Sequence, residues 1–278
     1  PDRLTPTTIE FIDIAGLIKD AHKGEGLGNK FLGQIRAVDA IAHVVRLFGV
    51  QTVPHVYDEV DPKRDLEIVE AEIIISDLEI VEERLDKIER LARISKDKGH
   101  EEREILERIR VFLNRGQFID MDQFSESERE LIRSFNLITA KPLFYIANID
   151  EKNLGAPPLS GSEGAPFASR RVVSISGKLE EELVLLSDEE RRSYLDLYSM
   201  EGLSIGEVIR VGYDVLGLVT FFTVVGKEVR AWTVPAGTAC ARAAGKIHTD
   251  MEKGFIKAEV INFEDLLRCG SEHAARDK

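Results

Sequence analysis

Apolar positions follow three different rhythms along this chain, and each rhythm predicts a different kind of element. Residues 7–48 alternate short β-branched runs with a glycine-rich stretch. Ile9, Phe11 and Ile12 lead into Asp13, and Ala40–Phe48 (AIAHVVRLF) forms a second apolar run. Both are predicted as buried strands of a parallel sheet, being short, β-rich and bounded by turn residues. Between them Phe31, Leu32, Ile35 and Val38 fall at helical spacing. Strand, loop, helix and strand in that order predict an α/β domain.

The rhythm changes at about residue 64. Leu78, Val81, Leu85 and Ile88 recur at alternating three- and four-residue steps with charged residues between them, the spacing of a coiled-coil seam. Neither Pro nor Gly interrupts Lys63–Lys98, so a single helix of roughly 50 Å is expected at about 1.5 Å per residue. Gly99 breaks it. Ile105, Ile109 and Leu113 then share one face of a returning helix, and Ser125 with Glu128 predicts a capped short helix. The sheet rhythm resumes at Lys141–Asn148 (KPLFYIAN), and after a loop rich in Gly, Pro and Ser a further strand is expected at Arg171–Ile175. The helical hairpin is therefore an insertion in an α/β domain. From about 218 short strands around a Gly226 turn, with Ala231–Gly237 and Gly254–Val260, suggest a small β-rich unit cut short at the chain end. The expected division is 1–63 with 138–217 as a nucleotide-binding domain, 64–137 as the helical insertion, and 218–278 as a small, incomplete domain.

Composition narrows the function classes. At 278 residues the chain can bury a substantial core. A net charge of −13 argues against coating DNA or RNA by bulk electrostatics, though not against a local basic patch. The acidic excess in Glu67–Glu107 is expected to be a solvated helical face. Cys240 and Cys269 make neither a disulfide framework nor a metal site. With no apolar run near the roughly 18 residues of a membrane helix and no leader pattern, a cytoplasmic protein without membrane contact is expected.

Three strand ends carry candidate chemistry. Asp13-Ile14-Ala15-Gly16 puts a carboxylate where Mg²⁺ is held through water, and a glycine whose N–H can approach a γ-phosphate. The glycines of Lys23–Gly28 follow, as in a switch that orders around nucleotide. Asn148-Ile149-Asp150-Glu151 stands where GTPases carry Asn-Lys-x-Asp, and Ser176-Gly177-Lys178 stands where backbone amides reach the base. Glu in place of Asp moves the carboxylate that would accept the two guanine donors, which weakens selection of guanine. Asp150 lies one residue too early to replace it.

On these residues the chain resembles the YchF family, the Obg-like ATPases. Pro6–Leu32 is similar to that family's switch II signature, Asn-Ile-Asp-Glu fits its Asn-x-x-Glu, and Val229–Val260 is similar to its TGS domain. The resemblance implies a P-loop-type parallel sheet with an inserted coiled-coil hairpin and a C-terminal β-grasp, ubiquitin-like domain. It implies a cytoplasmic, ribosome-associated switch that hydrolyses ATP in preference to GTP with Mg²⁺. The alternative is a ribosome- or RNA-binding adaptor in which hydrolysis is weak or lost.

Carried over, Asp13 and Gly16 would serve metal and γ-phosphate. Asn148, Ile149, Glu151, Ser176 and Gly177 would sit at the base. Leu17 takes the place of the usual water-orienting Gln and cannot do its work. His55, which matches a histidine of the family, is the candidate for positioning water, ahead of His22 in the switch. His43, within a strand, is expected in the core, and His248 carries no assigned chemistry. No G-x-x-x-x-G-K-[ST] occurs in the sequence. That absence and the short spacing from Pro1-Asp2-Arg3-Leu4 to Pro6-Thr7-Thr8 predict that segments of the natural protein lie outside these residues.

Overall fold

The structure is a computed structural model and describes residues 2–14, 27–49, 53, 55, 57, 59–92, 99–154, 171–197 and 202–276. In chain order its elements are β1 (Arg3–Thr5), α1 (Leu27–Arg36), β2 (Ile41–Arg46), α2 (Pro62–Ala92), α3 (His100–Asn114) and α4 (Glu126–Phe135). They continue with β3 (Leu143–Asn148), β4 (Val172–Ile175), α5 (Gly177–Val184), α6 (Asp188–Leu197) and α7 (Ser204–Val215). The last are β5 (Leu218–Val225), β6 (Glu228–Pro235), α8 (Cys240–Ile247), α9 (Thr249–Lys253), α10 (Phe263–Cys269) and α11 (Glu272–Arg276). Two compact units result: Ile9–Leu216, and Pro1–Thr8 together with Gly217–Lys278.

The larger unit is built on a parallel sheet of order β2-β3-β4. Its central strand β3 is buried on both faces, so its residues alternate between two cores. Tyr145 and Ala147 pack with Val45, Leu66 of α2 and Ile149. Phe144 and Ile146 pack with Val173 and with Val208 and Val211 of α7. The parallel register sets Arg46 beside Asn148, and Asn148 beside Ile175. All three strands therefore deliver their carboxyl ends to one edge of the sheet.

The helical arm follows the expected seam. α2 opens with Pro62, where a missing N–H costs nothing, and Asp61 Oδ1 accepts from the Lys63 and Arg64 amides at 3.1 Å each. Its 31 residues span about 46 Å at about 1.5 Å each. Val81, Leu85 and Ile88 pack against Ile105, Leu106, Ile109 and Leu113 of α3, with Ile132 and Phe135 of α4 closing the cluster. Gly99, at φ +97°, stands immediately before α3. The predicted capping box is present: Glu128 N donates to Ser125 Oγ, and Ser125 N donates to the Glu128 carboxylate at 2.7 Å.

In the smaller unit β5 and β6 form an antiparallel hairpin through Gly226, whose φ of +60° favours glycine. β1 adds in parallel to the far side of β6, and α8 packs against the same strand.

Four expectations are corrected. Residues 9–13 form no strand, and Phe11 and Ile12 are about half exposed (49% and 55%). A β-branched run becomes a strand only where a neighbouring backbone completes its ladder, and among the described residues none does so here. Ile9 and Phe11 instead approach Gly212 of α7. Residues 1–8, placed by sequence with the nucleotide-binding half, join the C-terminal unit: Arg3 pairs with Glu228, and Thr7 Oγ1 lies 2.9 Å from Thr233 Oγ1. Residues 254–260 form no strand, and Ile256 and Val260 are exposed. Finally, the acidic stretch is not solvated throughout, because Asp77 is fully buried and Glu72 nearly so.

Asp77 is the polar centre of the arm's junction with the sheet. Its Oδ1 lies 2.6 Å from Arg36 Nη1 at the end of α1. Its Oδ2 accepts from both Thr139 N and Thr139 Oγ1 at 2.7 Å. Arg36 also donates to Ser76 Oγ at 2.8 Å and to the Asn136 carbonyl at 3.0 Å. Nearby, Lys141 Nζ donates to the Val38 carbonyl at 2.7 Å, and burial pushes its pKa down. None of the described helices is long and apolar enough to cross a membrane.

Candidate functional site

The carboxyl edge of the parallel sheet brings two of the three predicted loops together. Asn148 ends β3, and Gly177 opens α5 directly after β4. The Gly177 amide donates to Asn148 Oδ1 at 3.1 Å, and Ile149 N donates to the Ile175 carbonyl at 2.8 Å. The two residues approach closely. A Cβ at position 177 would lie 3.4 Å from both terminal atoms of the Asn148 amide, at the near limit of ordinary contact, and glycine leaves that space open. Ser176 is buried at 3% exposure, and its carbonyl starts α5 by accepting from Glu180 N. The first turn of α5 therefore begins beside the Asn148 side chain, with the Gly177 amide bonded to it.

The neighbouring residues divide by role. Ile149 turns inward at 8% exposure and packs with Val45, Leu66, Tyr145 and Ala147, so its side chain belongs to the core and only its backbone faces the loop. Asp150 caps the following 3₁₀ turn: its Oδ1 accepts from Lys152 N at 3.2 Å. That bond ties Asp150 into the turn, which Glu151 opens with its side chain half-buried. Lys178 points to solvent and approaches Glu182 at 3.9 Å.

The first loop is described only up to Ile14. Asp13 is exposed, while Gly16, Leu17 and His22 lie outside the described residues. The residues present thus fit the base end of a nucleotide. A phosphate cradle of the G-x-x-x-x-G-K-[ST] type is not in the sequence, and the described residues hold no cluster of three His, Cys, Asp or Glu side chains able to ligate a metal.

His55 precedes α2, and its ring is held on both sides. Nε2 lies 2.9 Å from Asp65 Oδ2, and Nδ1 lies 2.8 Å from the Tyr57 carbonyl oxygen. The spacing of ten residues across a loop and a helix start carries no periodic signal, which is why Asp65 was not visible as a partner. His43 is half-buried with its ring 5.6 Å from that of Tyr145, as expected of a packed strand residue. His248 serves the local backbone, since its Nδ1 accepts from Asp250 N at 3.2 Å and caps α9. Both cysteines are free thiols.

The chain is similar over its whole length to known proteins. The family model YchF-GTPase_C, "Protein of unknown function (DUF933)", matches residues 218–278, and a model described as "50S ribosome-binding GTPase" matches residues 2–78. The ribosome-binding ATPase YchF of Bacillus subtilis (strain 168) is 38% identical over 284 residues, covering 100% of this chain and 77% of its own length. That of Haemophilus influenzae is 39% identical, with the same coverage. The YchF GTPase of Schizosaccharomyces pombe superposes with a TM-score of 0.85 at 34% identity, covering 100% of this chain and 76% of that one. With two strand-end loops meeting at one edge of the parallel sheet, and relatives of 38–39% identity whose matches span this whole chain, the chain belongs to the YchF family.

Proposed function

We propose that the protein binds and hydrolyses ATP in preference to GTP, with Mg²⁺, as a nucleotide-dependent switch that associates with ribosomes in the cytoplasm. The observation that carries this reading is the Asn148–Gly177 junction, which puts a side-chain amide and a helix-start backbone at one edge of a parallel sheet. Relatives named ribosome-binding ATPases support both halves of it. In this reading Asn148 and Gly177 shape the base loop, Ser176 supports it from below, and Glu151 presents a carboxylate one methylene longer than the guanine-reading Asp. Asp13 would hold Mg²⁺ through water, Gly16 would offer its N–H to the γ-phosphate, and His55 would position water in place of the side chain that Leu17 lacks. When bound, Mg²⁺ supplies charge neutralisation at the phosphate oxygens.

In a version of the protein that carries a phosphate-binding loop, ATP turnover is expected to exceed GTP turnover when both are measured as phosphate release at equal concentration. Equal or inverted rates would remove the argument from Glu151.

Ribosome association draws on the Gly217–Lys278 unit, where Arg230, Arg242, Lys246, Lys253 and Lys257 are concentrated in a chain of net charge −13. Arg230 stacks over the Trp232 ring at 4.2 Å, which leaves its charge at the surface on a rigid support. Co-sedimentation with ribosomes is expected and should weaken as salt rises. A chain that stays in the supernatant at low salt in every nucleotide state would count against this half of the reading. An adaptor without hydrolysis would pellet and yet release no phosphate.

A further inference from the structure

A histidine that positions a hydrolytic water must turn a ring nitrogen toward it, and His55 has neither nitrogen free. Its Nε2 faces Asp65 Oδ2 at 2.9 Å, which makes Nε2 the protonated, donating nitrogen. In the neutral ring, Nδ1 then accepts from Tyr57 N at 3.1 Å. In the imidazolium, Nδ1–H donates to the Tyr57 carbonyl at 2.8 Å. Either protonation state uses both nitrogens within the protein, and the two side chains are 18% and 23% exposed.

The carboxylate is itself fixed. Asp65 lies in the first turn of α2, where its amide bonds the Asp61 carbonyl at 2.9 Å. Its other carboxylate oxygen accepts from Arg64 Nη2 at 3.1 Å. Arg64 in turn lies over the Tyr57 ring at 4.4 Å and donates to the Glu59 carbonyl at 2.7 Å. His55, Tyr57, Arg64 and Asp65 thus close the loop back onto the foot of the helical arm.

We propose that the Asp65–His55 pair is an autoinhibitory contact, in which the arm sequesters His55 and hydrolysis requires the pair to open. The inference rests on the role given to His55 under Proposed function. Because Asp65 belongs to α2, whatever displaces the start of that helix relative to the loop releases the imidazole.

The test uses the full-length protein. Asp65→Ala is expected to raise basal ATP turnover about two- to fivefold, the shift in open population that follows from losing one partly exposed ion pair. The rise should vanish in the His55→Ala/Asp65→Ala double variant. Unchanged or lower turnover in Asp65→Ala overturns the proposal, a fall meaning that Asp65 orients His55 for the reaction instead.

A measurement without catalysis separates the contact from the function. Long-range ¹H–¹⁵N correlation spectra of the nucleotide-free protein should show His55 protonated at Nε2, with that signal displaced in Asp65→Ala. An unprotonated Nε2 in the wild-type protein overturns the contact even if ATP is hydrolysed. Wild-type turnover in His55→Ala removes the role of His55, and the autoinhibition with it, even if the contact is seen.

Discussion

Replacing Asp77 by alanine is expected to destabilise the protein by about 3–5 kcal/mol, the usual cost of removing one partner from a buried charge pair. The side chain is wholly buried, and its two oxygens serve two different elements. One meets Arg36 of α1, and the other accepts both hydrogen-bond donors of Thr139 in the 3₁₀ turn Ile138–Ala140. Truncation takes from the Arg36 guanidinium, 15% exposed, its carboxylate among the described residues, and leaves the buried Thr139 amide without its acceptor. Leu32 and Ile35 of α1, Ile73 of α2 and Ile138 pack alongside, so water has little room to substitute. Urea denaturation should show a lower midpoint with the same slope. Asp77→Asn, which keeps an acceptor for Thr139 and loses the charge, should fall between alanine and wild type. A loss below about 1 kcal/mol would mean that the pair is no better than a surface ion pair.

Asn148→Ala is expected to weaken adenine-nucleotide binding about 10- to 100-fold, which corresponds to about 1–3 kcal/mol for a lost polar partner at a desolvated site. The Asn148 side chain is the tie between the loops after β3 and β4, through the 3.1 Å bond from the Gly177 amide. Without it the Gly177 N–H has no fixed acceptor, and the first turn of α5 is free to shift against the β3 end. Titration with a fluorescent adenine nucleotide reads the affinity, and thermal unfolding checks the fold. The stability change should be much smaller than for Asp77, because Asn148 stands at the half-buried strand end rather than in a sealed core. Wild-type affinity in this variant would take Asn148 out of the nucleotide site.

These two residues were not equally legible. Asn148 was visible in the sequence because its chemistry is local: it ends a β-rich run and opens Asn-x-x-Glu, and Ser176-Gly177 does the same one strand later. Asp77 was hidden among many acidic residues on a helix most of whose charges face solvent. Its burial depends on Arg36 and Thr139, 41 and 62 residues away. Periodicity placed it beside the Leu78–Val81–Leu85 seam but carried no sign that a carboxylate belonged inside. Ile149 shows the opposite failure. Its place in the motif suggested a residue at the base, whereas strand alternation sends its side chain into the core with Tyr145 and Ala147. His55 stood out by type, and the carboxylate that holds it did not.

Local pattern alone was enough for the central strand of the parallel sheet, the arm's two long helices, the Ser125–Glu128 cap and the positive-φ glycines at 99 and 226. Side-chain period, capping hydrogen bonds and positive φ are properties of a few consecutive residues. Long-range packing was needed to pair residues 3–5 with 228–230 instead of the parallel sheet, and to leave residues 9–13 and 254–260 outside any ladder. It also decided which carboxylates are enclosed. A strand exists only with a partner backbone, and a buried charge only with its counter-charge. Both partners come from distant parts of the chain, where no local pattern can announce them.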